Sequence, residues 1–192
     1  YVSTVALCDG TEINANWLSA PMDTDSGYYP MTNAEYVTDK NVYKRFFFDS
    51  VREGVYCIET AQAMKNFTIL CNDYDGYTGL SYALTDDVTL KGEFSPVKRF
   101  GGVFNGNGYS ISGIKANGER VALFLDASGA TIRNLSLSGE ISASYEGASF
   151  ALVTDAETVI ERCYSSVDLT AGDRGGGLVL QNNGRINLSF YQ

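Results

Sequence analysis

A repeating all-β architecture, with short strands stacked coil upon coil as a solenoid, is the fold class this sequence predicts, and three observations predict it. Phe124-Leu125, Leu152-Val153 and Leu178-Val179 each begin eight residues ahead of an isoleucine (Ile132, Ile160 and Ile186), and the isoleucines follow in steps of 28 and 26 residues. Val103-Phe104 stand ahead of Ile111 in the same way, one step of 21 residues earlier, and the third residue after each isoleucine is Ile114, Leu135, Cys163 or Ser189. The second observation is punctuation: 20 Gly against three Pro, with Asn-Gly pairs between short apolar runs, favours tight corners between strands. The third is the period itself. A repeat of 20 to 30 residues that holds only a short apolar strand pair buries its apolar face by stacking on its neighbours.

Composition is consistent with this. Apolar residues make up 44% of the 192, enough for a real core. The net charge of −9 and pI near 4.4 disfavour nucleic acid and anionic membrane surfaces as partners. No apolar run approaches the roughly 20 residues needed to span a bilayer, and Tyr1-Val2-Ser3-Thr4 is not a signal peptide. The absence of an initiating Met and an end inside the apolar run Leu188 to Gln192 predict a piece of a longer chain, with neighbouring domains as partners.

Residues 1–54 stand outside the repeat and are rich in aromatics (Tyr28, Tyr29, Tyr36, Tyr43, Phe46, Phe47, Phe48). Thr32-Asn33-Ala34-Glu35 fits a capping box, so a helix over about 33–41 is one reading; Val42 to Phe48 reads equally as strand or helix. Residues 55–79 open with a short strand, Tyr56-Cys57-Ile58, followed by a helix N-capped by Thr60 and running to about Asn72. Ala61, Met64, Phe67, Ile69 and Leu70 lie near one apolar face of that helix, which suits it to cover the open end of the coils. Residues 80–192 form the coils, beginning with Leu84 to Leu90 and turning at Asn105-Gly106-Asn107-Gly108, where positive φ angles are needed.

Tyr56-Cys57-Ile58 with Thr60-Ala61, Tyr82 to Leu90, and Phe100-Gly101-Gly102-Val103-Phe104-Asn105-Gly106-Asn107-Gly108-Tyr109-Ser110-Ile111 resemble the opening coils of right-handed parallel β-helices in bacterial surface proteins. Gly177-Leu178-Val179-Leu180-Gln181-Asn182-Asn183-Gly184-Arg185-Ile186 is similar to their GLUG repeat, Gly-Leu-Val-Gly followed by Asn-x-Gly-x-Ile. The match covers roughly residues 55–192; Leu180 replaces the last Gly of the motif and Ala151-Leu152-Val153-Thr154 is degenerate. The resemblance implies a right-handed, single-stranded parallel β-helix, an extracellular place on the bacterial surface, and a scaffold role in adhesin-like proteins or beside the catalytic part of large immunoglobulin A peptidases.

Candidate chemistry is sparse. With no histidine in the chain, Ser-His-Asp and Cys-His sites and the HExxH zinc motif are excluded within it, and Cys8, Cys57, Cys71 and Cys163 have no metal-ligand spacing. Cys163 occupies a core slot of the repeat; Cys57 and Cys71 flank the helix, and sequence does not fix whether they pair. Asp86-Asp87 is a carboxylate pair of the kind a glycosidase uses, but adjacent strand residues point to opposite faces. Gly106-Asn107-Gly108 and Gly175-Gly176-Gly177 lack the Lys-Ser/Thr of a phosphate loop, and Asp73 and Asp75 lack EF-hand spacing.

Strand parity supplies the site expectation. If Leu135, Cys163 and Ser189 point inward, Lys115, Ser136, Tyr164 and Phe190 form an outward column, in which Tyr164 and Phe190 lie about 4.8 Å apart as a platform for a sugar ring. The other reading has the two rings packed under a neighbouring loop or domain. The expected function is therefore a noncatalytic stalk or adhesive module with no cofactor or metal, whose partner is a glycan or host surface protein. The alternatives are a β-helix enzyme acting on polysaccharide, or an accessory domain of a surface peptidase.

Overall fold

Alternating apolar residues and Asn- or Asp-containing corners build about five turns of parallel β-solenoid in the computed structural model of the chain. The structure describes residues 4–6, 12–14, 50–52, 54–74 and 76–192. The helix and strand readings for residues 33–48 lie outside these residues, as does Cys8. Strands β1 (Thr4–Ala6) and β2 (Glu12–Asn14) pair antiparallel, and β3 (Ser50–Arg52) pairs antiparallel with β4 (Val55–Ile58). Helix α1 (Ala61–Asp73) follows.

The coils then repeat as strand, corner, strand, corner, strand. They run through β5 (Ser81–Leu84), β6 (Val88–Thr89), β7 (Val97–Arg99), β8 (Val103–Asn105), β9 (Ser110–Val121) and β10 (Phe124–Asp126). They continue through β11 (Thr131–Arg133), β12 (Ser136–Ala148), β13 (Ala151–Val153), β14 (Val159–Glu161) and β15 (Tyr164–Ala171). The last are β16 (Arg174–Gly176), β17 (Val179–Gln181), β18 (Arg185–Asn187) and β19 (Phe190–Tyr191). Three sheets result: β17-β13-β10-β7, β18-β14-β11-β8-β5-β4-β3, and β19-β15-β12-β9-β6 with β16 also on β12.

Register in the second sheet places Tyr56, Tyr82, Phe104, Ile132, Ile160 and Ile186 in one inward column. The first five are buried, and Ile186, in the last coil, is half-buried. The spacing of Ile111, Ile132, Ile160 and Ile186 predicts that these four form one buried ladder; the last three do, and the upper end differs. Phe104, not Ile111, precedes Ile132, so the backward step is also 28 residues. Ile111 belongs to the third sheet, between Val88 and Leu137, and Ile114 faces Gly139 rather than stacking with Leu135.

The misreading has a physical source in the corners. Phe124 pairs with Ala151 and Ala151 with Val179, so the apolar residue that opens each coil lies eight, nine and seven residues ahead of Ile132, Ile160 and Ile186. Corner length varies, and constant spacing therefore does not identify equivalent positions.

Corners between the second and third sheets are held by side-chain stacking. Asn134, Arg162 and Leu188 adopt positive φ (51°, 49° and 47°) at equivalent turns. Asn134 Nδ2 donates to Asn105 Oδ1 (3.0 Å), and Arg162 Nε donates to Asn134 Oδ1 (2.8 Å), linking three successive coils. At Gly106 a Cβ would collide with the backbone of Asn134 and Leu135 in the next coil, which explains the Asn-Gly pair there.

Thr60 caps α1 as expected, its Oγ1 accepting from the Ala63 amide at 3.1 Å. The helix lays Met64, Phe67, Leu70 and Cys71 over the first coils. The Phe67 ring meets those of Tyr82, Phe100, Phe104 and Phe124 at centroid distances of 4.6 to 6.3 Å. At the other end β17, β18 and β19 are edge strands, with Leu188 81% and Phe190 60% exposed.

Candidate functional site

The outward positions of the third sheet carry the aromatic pair. Strand pairing stacks Ser110, Ser136, Tyr164 and Phe190, because each follows a corner at the start of its strand. The Tyr164 and Phe190 rings lie 4.8 Å apart between centroids, with their planes inclined by 48°. They therefore form a stepped surface rather than a flat one. The Tyr164 hydroxyl donates to Gln192 Oε1 at 2.9 Å, which fixes the ring from its polar end while Phe190 stays open to solvent.

Lys115 is not in this column. Its partner across the sheet is Glu140, which in turn faces Asp168, so Lys115 belongs to a charged row further along the strands. The displacement follows from setting Ile111 and Ile114 beside Ile132 and Leu135: Ser110, five residues ahead of Lys115, is the residue that pairs with Ser136, and a further one-residue shift between Leu137 and Gly139 sets Lys115 against Glu140. A bulge there places Gly139 at φ 139°, where a Cβ would run into the backbone of Ile114.

The carboxylates suggested for acid–base work serve the corners. Asp87 Oδ1 accepts from the amide and the hydroxyl of Ser110, both at 2.8 Å, and these bonds hold its carboxyl below the ordinary carboxylate value. Asp86 Oδ1 accepts from the Asp87 amide at 2.7 Å. Asp155 is similar: the Gly129 amide in the preceding coil, followed by the Thr158 hydroxyl, lowers its pKa.

One cluster escaped the sequence reading. Glu146, with a side chain only 7% exposed, receives Arg120 Nε at 2.7 Å on one oxygen and an Arg174 terminal nitrogen on the other. The three are opposite one another on β9, β12 and β16, and the Arg174 guanidinium lies 5.7 Å from the centroid of the Tyr145 ring. Residue numbers 120, 146 and 174 differ by the repeat length, a signal available from sequence had charge been followed along with apolarity.

Cys57, Cys71 and Cys163 are free and buried, so the first two do not pair with each other. Burial pushes the Cys71 thiol up to about 12 and the Cys163 thiol up to about 11, which keeps both protonated and unreactive at neutral pH. Among the described residues no group of three or more His, Cys, Asp or Glu is placed to hold a metal, and no helix is long and apolar enough to cross a membrane. Asp75 of the suggested calcium loop lies outside the described residues. No family model, curated protein or solved structure matches this chain.

Proposed function

We propose that this chain is a noncatalytic β-solenoid module of a secreted bacterial cell-surface protein, serving as a stalk and adhesive surface that takes a glycan across Tyr164 and Phe190. The observation that carries the reading is the aromatic pair on consecutive coils, its ring centroids 4.8 Å apart, with Phe190 exposed and Tyr164 half-buried beside it. Each ring offers an apolar face to the C–H side of a sugar, and the inclination favours two linked rings set at an angle over one broad flat ring. Ser136, beside Tyr164 in the column, supplies a hydroxyl to orient the sugar. The commitment of Asp87 and Asp155 to corner bonds supports a scaffold over a polysaccharide-cleaving enzyme, because neither carboxylate is free to act on substrate. The GLUG-like run from Gly177 to Ile186 supports a place among bacterial surface β-helices and the right-handed coil of that family.

Glycan-array screening of the wild type and of Tyr164→Ala/Phe190→Ala tests the reading. Binding by the wild type and its loss in the double variant at unchanged melting temperature is the expected result. No glycan bound, or equal binding by both proteins, leaves a plain stalk.

A further inference from the structure

The aromatic pair does not stand alone on the third sheet. β12 and β15 pair without a bulge, so their outward residues form even rows: Ser136 beside Tyr164, Ser138 beside Ser166, Glu140 beside Asp168, and Ser142 beside Thr170. Residues two positions apart on a strand share a face, about 7 Å from each other. The Gln192 amide donates to the Ser165 carbonyl at 2.9 Å, which carries the pairing of β15 with β19 one residue further and sets Gln192 next to Ser166. A polar column of Ser138, Ser166 and Gln192 therefore runs beside the column of Ser136, Tyr164 and Phe190.

The hydroxyls of this face divide by use. Higher in the stack they serve the fold: Ser110 Oγ donates to Asp87 Oδ1 at 2.8 Å, and Thr89 Oγ1 and Ser112 Oγ share a hydrogen bond of 3.0 Å. Lower down, none of the described residues bonds the hydroxyl of Ser136, Ser138 or Ser166, and Ser166 and Gln192 are exposed. Tyr164 occupies the side-chain oxygen of Gln192 and leaves its nitrogen as a donor. Open hydroxyls and an amide are thus grouped around two rings, over consecutive coils.

Charge bounds the patch on two sides. Along the strands the next row sets Glu140 and Asp168 against Lys115, two carboxylates to one ammonium. At the corner ahead of Tyr164, the Arg162 guanidinium is matched by Glu161 at 2.8 Å. An anionic sugar meets net negative charge on one side and a matched pair on the other, so charge selects against it.

We infer that the glycan taken by this face is a neutral, extended chain lying along the solenoid axis, one sugar to each of the coils that carry β12, β15 and β19. The inference rests on the sugar-binding reading of Tyr164 and Phe190 given above. Direction follows from spacing: a pyranose in an equatorially linked chain advances by close to the coil spacing of about 4.8 Å, so successive sugars meet Phe190, Tyr164 and Ser136 in turn. Their hydroxyls along one edge then reach Gln192, Ser166 and Ser138, which donate or accept as a neutral sugar requires. The 48° between the aromatic planes suits successive sugars turned relative to each other. The strand ladder fixes both columns before a ligand arrives, which lowers the ordering cost of binding.

The test is isothermal titration calorimetry of the chain with cellohexaose (neutral and extended), maltohexaose (neutral and curved), hexamannuronate (extended and acidic) and cellobiose. Cellohexaose is expected to bind about tenfold more tightly than each of the other three. Ser138→Ala/Ser166→Ala, which changes only outward side chains, should keep the melting temperature and weaken cellohexaose by roughly tenfold, from two lost hydrogen bonds. Glu140→Gln/Asp168→Asn should leave cellohexaose unchanged and strengthen hexamannuronate. Tyr164→Ala/Phe190→Ala should lose every glycan. Loss in that variant with unchanged affinity in the serine variant leaves the sugar-binding reading standing and overturns this inference. Equal or tighter binding of maltohexaose, hexamannuronate or cellobiose by the wild type does the same. No binding of any of the four overturns both.

Discussion

Ile160 sits with no exposed surface between Ile132 and Ile186, one coil to either side. A carboxylate in that slot has no partner among the surrounding side chains, and a lone buried charge costs several kcal/mol. Ile160→Asp is therefore expected to unfold the C-terminal coils, while Ile160→Val, losing one methylene, costs about 1 kcal/mol. Urea denaturation of the two variants checks this, and a wild-type midpoint for the aspartate variant would contradict the register. The isoleucines from Ile132 onward were legible because each stands eight residues after an apolar pair and on the same sheet as the next. Ile111 was misplaced because it is equally apolar, equally spaced and equally buried, yet belongs to a different sheet. Burial alone does not say which wall of a solenoid a residue faces.

Among the elements, α1 was the most legible. Its start depends on Thr60 and its buried face on Met64, Phe67 and Leu70, all read within 13 residues. The strand columns depend on corner length, which varies by one or two residues and leaves no local trace. For that reason Tyr164 and Phe190 fall together, one coil apart, whereas Lys115, aligned through Ile111 of a different sheet, does not share their column. The tilt of the rings was likewise beyond sequence, since it depends on side-chain packing and on the Gln192 contact. Phe67→Ala removes the ring on which Tyr82, Phe100, Phe104 and Phe124 converge, and its cost is expected at about 3–5 kcal/mol. Thr60→Ala, which loses one capping bond, should cost only about 1 kcal/mol. Equilibrium unfolding of both variants, followed by circular dichroism, separates the two magnitudes.

Across the whole molecule, coils are joined by corner carboxylates as well as by apolar ladders. Asp87 reaches Ser110 in the next coil and Asp155 reaches Gly129 in the preceding one. Both carboxyls lie below their ordinary value of 3.8 in the folded chain. Their contribution is present above the unfolded pKa and is lost as pH falls through the lower folded values, so stability is expected to decline below about pH 4. Urea midpoints between about pH 6 and about pH 2 should show that decline, and Asp87→Asn/Asp155→Asn should show a shallower one. Residues that meet across the stack are 22 or 23 positions apart in an upper coil and 26 to 29 apart in the lower ones. The loop closed on adding a coil therefore stays within this narrow range, and because closure entropy varies only with the logarithm of loop length its cost does not grow with the number of coils. A chain emerging from the ribosome presents α1 before the coils that it covers, and each later coil meets the one before it as a template when it appears. Assembly in step with synthesis needs no distant partner to arrive, so the strands most prone to sticking elsewhere stay unpaired only for the time it takes one more coil to be made.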